Sequence, residues 1–239
     1  MIVEGINVIR ELLNESVKID KIIAEETNNL EILKLIDKAR AIAINTQILP
    51  KKDFAKFVKN ENQGIIAYIP NFRYAEVKDI FLEAQRKQQA PFIVILDGIT
   101  DPHNLGAIVR TCECAGVHGV IIPSNRACEV NATVYKTSAG AVSHMKIAKV
   151  TNLTNVIKEL KLLGVWVYGL EAGSKTIYEA DFTYPTALVV GSEGKGISRL
   201  VKENCDEILS LNMYGKVNSL NASNAGAIAI YEVVRQRRF

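Results

Sequence analysis

The chain has 239 residues, of which 48% are hydrophobic and 23% charged, which is enough apolar material for a core and excludes wholesale disorder. Its formal net charge of +3 permits a nucleic-acid partner but does not require one, and its length allows one or two domains. There is no apolar run of the roughly 18 residues that a membrane span needs, and the first residues lack a signal-peptide pattern, so we expect a cytoplasmic protein with reduced cysteines.

The first 73 residues predict a small α/β unit. Apolar side chains recur there at helical spacing in some segments and form short apolar runs in others. The predicted helices cover 5–13, 29–39 and 51–58, and the predicted strands cover 21–24, 42–48 and 64–69. A polar helical segment, 74–90, follows; we interpret it as a linker helix, although an ordinary helix with a solvated face would show the same pattern.

From residue 91 to residue 239, apolar strands alternate with helices. The predicted strands cover 92–96, 119–122, 165–170, 187–190 and 207–211, and the predicted helices cover 104–115, 132–138, 153–163, 196–204 and 223–237. This alternation is typical of a parallel sheet with helices on both faces. Ligands of such sheets bind at the carboxyl ends of the strands, which directs attention to the loops that follow them.

The loop after the first of these strands leads into a helix that we expect to begin at Asp101-Pro102, with proline in the first helical position. Apolar residues of that helix can face the sheet, whereas Arg110 falls on another face. A guanidinium there could grip a phosphate through its forked donors. A surface arginine in an ion pair would look the same, so both interpretations stay open on the residues alone.

Two further loops are unusual in composition. Gly191-Ser-Glu-Gly-Lys-Gly196 places three glycines after a buried strand, a pattern that lets backbone approach a ligand closely, although a plain turn would also explain it. Its spacing fits neither the dinucleotide-binding nor the P-loop pattern. Residues 218–224 carry more amide and hydroxyl side chains than the cap of the final helix needs.

Other constellations are weaker. His103, Cys112, Cys114 and His118 could be combined into a zinc site, but Cys112 and Cys114 are two residues apart on a predicted helix and do not face together. We therefore expect no metal. The pattern Gly-x-Ser-x-Gly of many hydrolases is missing from the sequence.

Taken together, the three loops resemble the signature motifs of the SPOUT methyltransferases, in the SpoU or TrmH-like branch. The motifs are Asn104-Leu-Gly-Ala-Ile-Val-Arg110, Gly191-Ser-Glu-Gly-Lys-Gly196 and Ser219-Leu-Asn-Ala-Ser223. Each is weak alone, but their order and separation also fit. Glu4-Gly-Ile-Asn-Val8 and Asn62-Gln-Gly-Ile-Ile-Ala67 resemble landmarks of the substrate-binding domain found in the rRNA guanosine-2′-O-methyltransferases of this branch, so the resemblance covers nearly the whole chain.

The resemblance implies an α/β fold with a small L30e-like RNA-binding domain over 1–73, a linker over 74–90 and a SPOUT methyltransferase domain over 91–239. It also implies a deep trefoil knot near the C-terminus and a homodimer with each active site near the subunit interface. The implied cofactor is S-adenosyl-L-methionine and the implied partner is ribosomal RNA. The implied cofactor-binding residues are Gly191, Leu211, Leu220 and Leu170, and the implied catalytic residues are Arg110, Asn104, Glu193, Ser219 and Asn221.

The implied reaction is the 2′-O-methylation of a ribose, in a guanosine of large-subunit rRNA. Since arginine stays protonated in proteins, we expect Arg110 to bind phosphate and stabilise the developing oxyanion rather than act as the base. Asn104 and Ser219 would orient Arg110 and the ribose, and Glu193 would anchor that network. A tRNA ribose methyltransferase, a non-catalytic RNA-binding factor of ribosome assembly and an ordinary nucleotide-binding enzyme remain as alternatives.

Overall fold

The computed structural model describes residues 1–15, 17–58 and 62–238, which fold around two separate β-sheets. In chain order the strands are β1 (Ile2–Glu4), β2 (Lys21–Glu25), β3 (Thr46–Leu49), β4 (Ile65–Tyr68), β5 (Phe92–Asp97), β6 (Gly119–Pro123), β7 (Ile147–Val150), β8 (Trp166–Thr176), β9 (Thr186–Gly191) and β10 (Glu207–Ser210). The helices are α1 (Ile6–Asn14), α2 (Leu30–Ala41), α3 (Lys51–Phe54), α4 (Val77–Arg86), α5 (Pro102–Ala115), α6 (Ala132–Thr137), α7 (Leu153–Leu162), α8 (Arg199–Asn204) and α9 (Ala222–Arg238).

The first compact unit consists of Met1–Arg73 together with Val130–His144. Its four strands lie in the order β1-β4-β2-β3, with β1 and β2 antiparallel to β4 and β3 parallel to β2. The later segment packs against the early one, since α6 contacts β1 and the turn after α6 contacts α1. In that turn His144 lies between Glu11, at 3.0 Å, and Glu15, at 3.2 Å. The unit is therefore assembled from two distant stretches of the chain.

The second compact unit consists of Tyr74–Glu129 and Met145–Phe239. Its six strands are all parallel, in the order β10-β8-β9-β5-β6-β7, which confirms the predicted parallel sheet. The helix within the predicted linker, α4, belongs to this unit, because its Ile80 is fully buried in the core beside Gly119. The three-part division at 73 and 90 remains a prediction.

Three differences from the predicted elements have a local cause. The edge strands β1 and β7, of three and four residues, were too short to produce a pattern in the sequence. The predicted helix over 196–204 begins only at Arg199. The amide of Ile197 donates to the Glu171 carboxylate and that of Ser198 to Asp97, so these residues belong to a loop held by side chains.

The register of the second sheet brings three strand ends together. Asp97 at the end of β5 pairs with Gly191 at the end of β9, and Leu170 in β8 pairs with Val190. The loops that follow these strands therefore meet at one edge, as expected for the carboxyl ends of a parallel sheet. In the part of the chain that the structure describes, every helix is too short or too polar to cross a membrane.

Candidate active site

A cleft of about 780 Å³ opens at the carboxyl edge of the second sheet. The ends of β8, β9 and β10 form its floor, and the loops after β9 and β10 form its walls. Its lining includes the four predicted cofactor-binding residues, which are Leu170, Gly191, Leu211 and Leu220. It also includes three predicted catalytic residues, which are Glu193, Ser219 and Asn221. Seven of the residues that the resemblance implies thus line one cleft.

The loop after β9 folds back on itself as a tight hairpin. The amide of Ser192 donates to the carbonyl of Gly196 at 3.1 Å, and the amide of Gly196 donates to the carbonyl of Ser192 at 2.9 Å. A Cβ at Gly191 would lie 2.3 Å from the carbonyl carbon of Gly196, which is closer than real Cβ contacts. Only glycine fits at this position, so the cleft wall here is bare backbone, as a close approach to a ligand requires.

Two carboxylates that we did not predict hold the residues that directly follow this hairpin. Asp97 accepts a hydrogen bond from the amide of Ser198 at 2.7 Å. Glu171 accepts a 2.8 Å hydrogen bond from Lys202 and a longer one, 3.4 Å, from the amide of Ile197. Asp97 is the last residue of β5, whereas Glu171 lies within β8, directly after Leu170 of the cleft floor.

Three predicted catalytic residues form one hydrogen-bonded network at the mouth of the cleft. Asn104 donates through Nδ2 to Oε1 of Glu193 at 3.0 Å. Asn221 donates through Nδ2 to Oδ1 of Asn104 at 2.9 Å and also to Oε1 of Glu193. Asn104 is buried on α5, with 9% of its surface exposed, whereas Glu193 is exposed on the hairpin. The network joins parts of the chain that are 89 and 117 residues from Asn104.

Asn221 also begins the final helix. Its Oδ1 accepts from the amides of Ser223 at 2.9 Å and Asn224 at 3.3 Å, which is the geometry of a helix N-cap. Because Oδ1 is used for capping, the amide group of Asn221 is left to face Asn104 and Glu193. One side chain therefore both caps α9 and orients the network, which explains part of the excess of polar residues before this helix.

Arg110 and Ser219, the other predicted catalytic residues, do not join the network. Both are exposed, and within the described residues neither side chain has a hydrogen bond or ion pair. Arg110 is six residues after Asn104 on α5, which places it about 9 Å along the axis and about 120° around it from Asn104. The network of one chain thus lacks the cation that the resemblance assigns to it.

A second cavity, of about 310 Å³, lies at the opposite edge of the sheet, where β5 begins. Several of its polar groups are already engaged within the fold. His118 accepts at Nδ1 from the amide of Phe92 and pairs at Nε2 with Gln89, and Arg237 donates to the carbonyls of Phe182 and Ala90. Burial lowers the pKa of His118 to about 4. We interpret this cavity as structural.

The zinc arrangement considered above does not form. Among the described residues, no three His, Cys, Asp or Glu side chains are placed to hold a metal ion. Cys112 is fully buried in the core, and burial raises the pKa of its thiol, whereas Cys114 is exposed on the other face of α5.

Both parts of the chain match known families. Residues 91–231 match the SpoU rRNA methylase family, and residues 2–75 match the family described as RNA 2′-O ribose methyltransferase substrate binding. The chain is 42% identical to the TrmH-family tRNA/rRNA methyltransferase YacO of Bacillus subtilis, over 98% of this chain and 94% of that protein. It is 41% identical to a TrmH-family tRNA/rRNA methyltransferase of Staphylococcus saprophyticus, over 100% of this chain and 97% of that protein.

A solved structure shows the same fold. The SpoU methyltransferase AviRb from Streptomyces viridochromogenes, crystallised in complex with AdoMet, superposes with a TM-score of 0.83 and 22% sequence identity. The superposition covers 99% of this chain and 90% of that one. Both units of the present chain therefore have counterparts in a known architecture.

Proposed function

The chain belongs to the SpoU rRNA methylase family, and from this premise we propose that it transfers a methyl group from S-adenosyl-L-methionine to a ribose 2′-hydroxyl in RNA. The observation that supports this most is the Asn104–Glu193–Asn221 network at the mouth of a cleft walled by backbone. The substrate we propose is a guanosine of large-subunit ribosomal RNA. Residues 1–73, which match a substrate-binding family, would hold the RNA.

The cleft fits the proposed cofactor. Its volume of about 780 Å³ lies within the usual range for small-molecule sites. Leu170, Leu211 and Leu220 provide apolar surface for a flat base, and the glycine hairpin provides backbone groups for polar atoms. When bound, the cofactor supplies an activated methyl group on a sulfonium, so the protein needs only to bind, orient and deprotonate the acceptor.

Glu193 is the group we propose to receive the proton of the ribose hydroxyl. Its Oε1 atom takes the hydrogen bonds from the Asn104 and Asn221 amides. Its Oε2 atom accepts no hydrogen bond from the described residues, and the residue is exposed. The two amides would thus hold the carboxylate in one orientation while its second oxygen faces the substrate.

Arg110 completes the site in this proposal, but from a second copy of the chain. It lies on another face of α5 from Asn104 and has no hydrogen bond or ion pair among the described residues. Helix α9, which packs on α5, exposes 41% of Ile228 and 51% of Tyr231, an apolar surface that a second copy would cover. In the homodimer that the family resemblance implies, Arg110 of each chain would bind phosphate beside the partner's network and stabilise the developing oxyanion.

Mixing two inactive variants tests this arrangement. Arg110→Ala and Glu193→Ala each remove a different half of the proposed composite site. After subunit exchange, an equal mixture should regain about a quarter of the wild-type sites, because half of the dimers are mixed and each has one intact site. Sedimentation of the wild type should give a dimer. A monomeric wild type, or a mixture without activity, would contradict the shared site.

The substrate is tested by methyl transfer from labelled S-adenosylmethionine to rRNA and, separately, to tRNA, with the product nucleosides resolved. We expect label in 2′-O-methylguanosine from large-subunit rRNA. The Arg110→Ala variant should lose transfer while it still binds S-adenosylhomocysteine. Absence of label in both RNAs, with bound cofactor, would favour a non-catalytic RNA-binding factor.

Transfer to tRNA is the second candidate. The relatives from Bacillus subtilis and Staphylococcus saprophyticus are both described as tRNA/rRNA methyltransferases, a description that covers both substrates. Label in tRNA alone would keep the chemistry proposed here and change the substrate.

A further inference from the structure

The loop between β10 and α9 exposes apolar side chains beside the cleft. Tyr214 is 93% exposed and Val217 is 74% exposed. The residues on either side of this pair, Met213 and Asn218, line the cleft, so the segment from 214 to 217 forms part of its rim. Exposed aromatic surface at the mouth of a cleft is more informative than a scattered surface residue, because it adjoins the candidate binding cavity.

Two lysines lie around this rim. From Ile208 to Tyr231 the only charged residue is Lys216. The hairpin on the other wall of the cleft carries Lys195, and both lysines are exposed and have no ion pair within the described residues. An exposed carboxylate, Glu193, is two residues before Lys195, and its Oε1 atom accepts hydrogen bonds from Asn104 and Asn221. The rim therefore combines an aromatic ring with two available cations.

We propose that Tyr214, Lys216 and Lys195 hold an unpaired RNA nucleotide next to the ribose to be methylated. The base stacks on the Tyr214 ring, and the two lysines contact the flanking phosphates. This proposal rests on the proposed methyl transfer to RNA and specifies the form of the substrate at the site. Stacking on an aromatic ring requires a base that has left a duplex, so the target lies in a loop, bulge or single-stranded stretch.

The observations favour RNA over a second copy of the chain at this rim. A single strand offers flat bases and a phosphate for each nucleotide, which match one aromatic ring between two lysines. In a two-fold interface centred on the rim, Lys216 would face its own symmetry mate, with no acidic residue between 208 and 231 to separate the like charges.

The test compares variants of the full chain in the presence of saturating S-adenosylhomocysteine. The probes are an unstructured oligoribonucleotide of twelve nucleotides and the same strand annealed to its complement, both followed by fluorescence anisotropy. We expect Tyr214→Ala to weaken binding of the single strand by about tenfold, the effect usual for one lost base stack, and to change duplex binding little. Tyr214→Phe should restore the affinity, because the ring remains.

Matched variants separate the contributions. Tyr184→Ala, at an exposed tyrosine near the opposite edge of the sheet, should leave RNA binding unchanged. The pair Lys195→Gln and Lys216→Gln should lower the slope of log affinity against log salt by about 1.4, since each phosphate contact on a single strand contributes about 0.7. In turnover with an RNA that accepts methyl, Tyr214→Ala should raise KM for RNA more than it lowers kcat.

Several results would overturn the proposal. The proposal is wrong if Tyr214→Ala and the wild type bind the single-stranded oligoribonucleotide with equal affinity. It is also wrong if the wild type binds no RNA. Dissociation of a dimer by Tyr214→Ala would instead assign the rim to an interface between copies. S-adenosylhomocysteine binding and methyl transfer are measured on the same samples, so loss of the rim contact alone is distinguished from failure of the proposed function.

Discussion

At the scale of single residues, Gly191 has the least tolerance for a side chain. A Cβ there would lie 2.3 to 2.5 Å from the backbone of Gly196 and Ile197, and backbone cannot move aside as a flexible side chain can. We expect Gly191→Ala to open the hairpin and weaken S-adenosylhomocysteine binding by about tenfold or more, the size of a typical overpacking cost. Titration calorimetry measures this.

A matched glycine in the neighbouring loop provides the control. A Cβ at Gly215 would have no atom within 4 Å, and its backbone is not in the left-handed region. Gly215→Ala should therefore bind S-adenosylhomocysteine within about twofold of the wild type. Equal binding by the Gly191 variant would mean that the hairpin is not the wall of the cofactor site.

The polar network makes a second prediction at this scale. Asn104→Asp replaces the amide that donates to Glu193 with a carboxylate, so two like charges meet in one hydrogen-bonded position. We expect a loss of about 1–3 kcal/mol in the free energy of unfolding, the usual cost of a broken buried hydrogen bond. Methyl transfer should fall about a hundredfold or more, because the proposed proton acceptor loses its orientation.

Adding Glu193→Gln to Asn104→Asp tests whether methyl transfer needs the carboxylate at position 193 or only an intact hydrogen bond between positions 104 and 193. The new amide at position 193 can donate to the new carboxylate at 104, so denaturant unfolding should return toward the wild-type free energy. Methyl transfer should not return, since the double variant has no carboxylate at position 193. Recovery of transfer together with stability would assign Glu193 a purely structural role.

At the scale of elements, α9 contains a glycine that the packing does not require. Gly226 is buried in the helix, yet a Cβ there would meet Val190 and Ile108 at 3.6 to 4.0 Å, which is ordinary contact. We expect Gly226→Ala to raise the free energy of unfolding by about 0.5–1 kcal/mol, the usual gain for alanine over glycine inside a helix. A lower melting temperature would show that α9 and α5 pack more closely than this.

The start of β6 makes stability depend on pH. His118 is neutral in the fold, with a pKa lowered to about 4 by burial, while its unfolded value is near 6.5. As the pH falls below 6.5 the unfolded chain binds a proton that the folded chain does not, so stability falls until about pH 4. Denaturant unfolding between pH 7 and pH 4.5 should show this loss. The measurements stop at pH 4.5 because Arg86 lowers the pKa of Glu83 from 4.5 to about 2. Below pH 4.5, Glu83 therefore also changes the free energy of unfolding.

Replacing His118 shows how much of the pH dependence of the unfolding free energy comes from this residue. His118→Asn keeps an acceptor for the amide of Phe92 but cannot take up the proton. We expect a flatter dependence of unfolding free energy on pH, together with lower stability at pH 7. His103→Asn, on the exposed surface of α5, is the control and should leave the slope unchanged. A slope unaffected by His118→Asn would assign the pH dependence to other groups.

At the scale of the whole molecule, the sequence predicted the second sheet well because its strands are apolar throughout and separated by helices. It predicted the loops at the strand ends for the same reason, and hence the cleft. It did not predict that Arg110 would lie apart from Asn104 and Glu193, because helical phase relative to a distant loop depends on packing. Asp97 and Glu171 were missed because a carboxylate that holds backbone amides has no distinctive sequence pattern.

The sequence also did not predict that the first unit includes a segment from the middle of the chain. Helix α6 follows β6 of the second sheet, so local pattern assigns it there, yet Val130–His144 packs with Met1–Arg73. Such an assignment depends on contacts between residues that are more than 60 apart in the chain, which periodicity does not reveal. The trefoil knot implied by the family resemblance remains a prediction.

This two-part composition of the first unit determines how it behaves when it is cut out. Val134 and Val142 are fully buried, and Tyr135 is nearly so, with its ring packed edge to face on Phe72 at 6.5 Å. A fragment of residues 1–75 leaves the partner surfaces of these side chains in water.

Fusing residues 130–144 to that fragment through a flexible Gly/Ser linker should raise its melting temperature by at least about 5 °C, since 1 kcal/mol corresponds to about 4–8 °C in a domain of this size. Circular dichroism measures the transition, and the same fusion with Val134→Ala and Tyr135→Ala should melt close to the short fragment. Equal melting temperatures for the short fragment and the unmutated fusion would show that residues 1–73 are complete alone and that the later segment only rests on them.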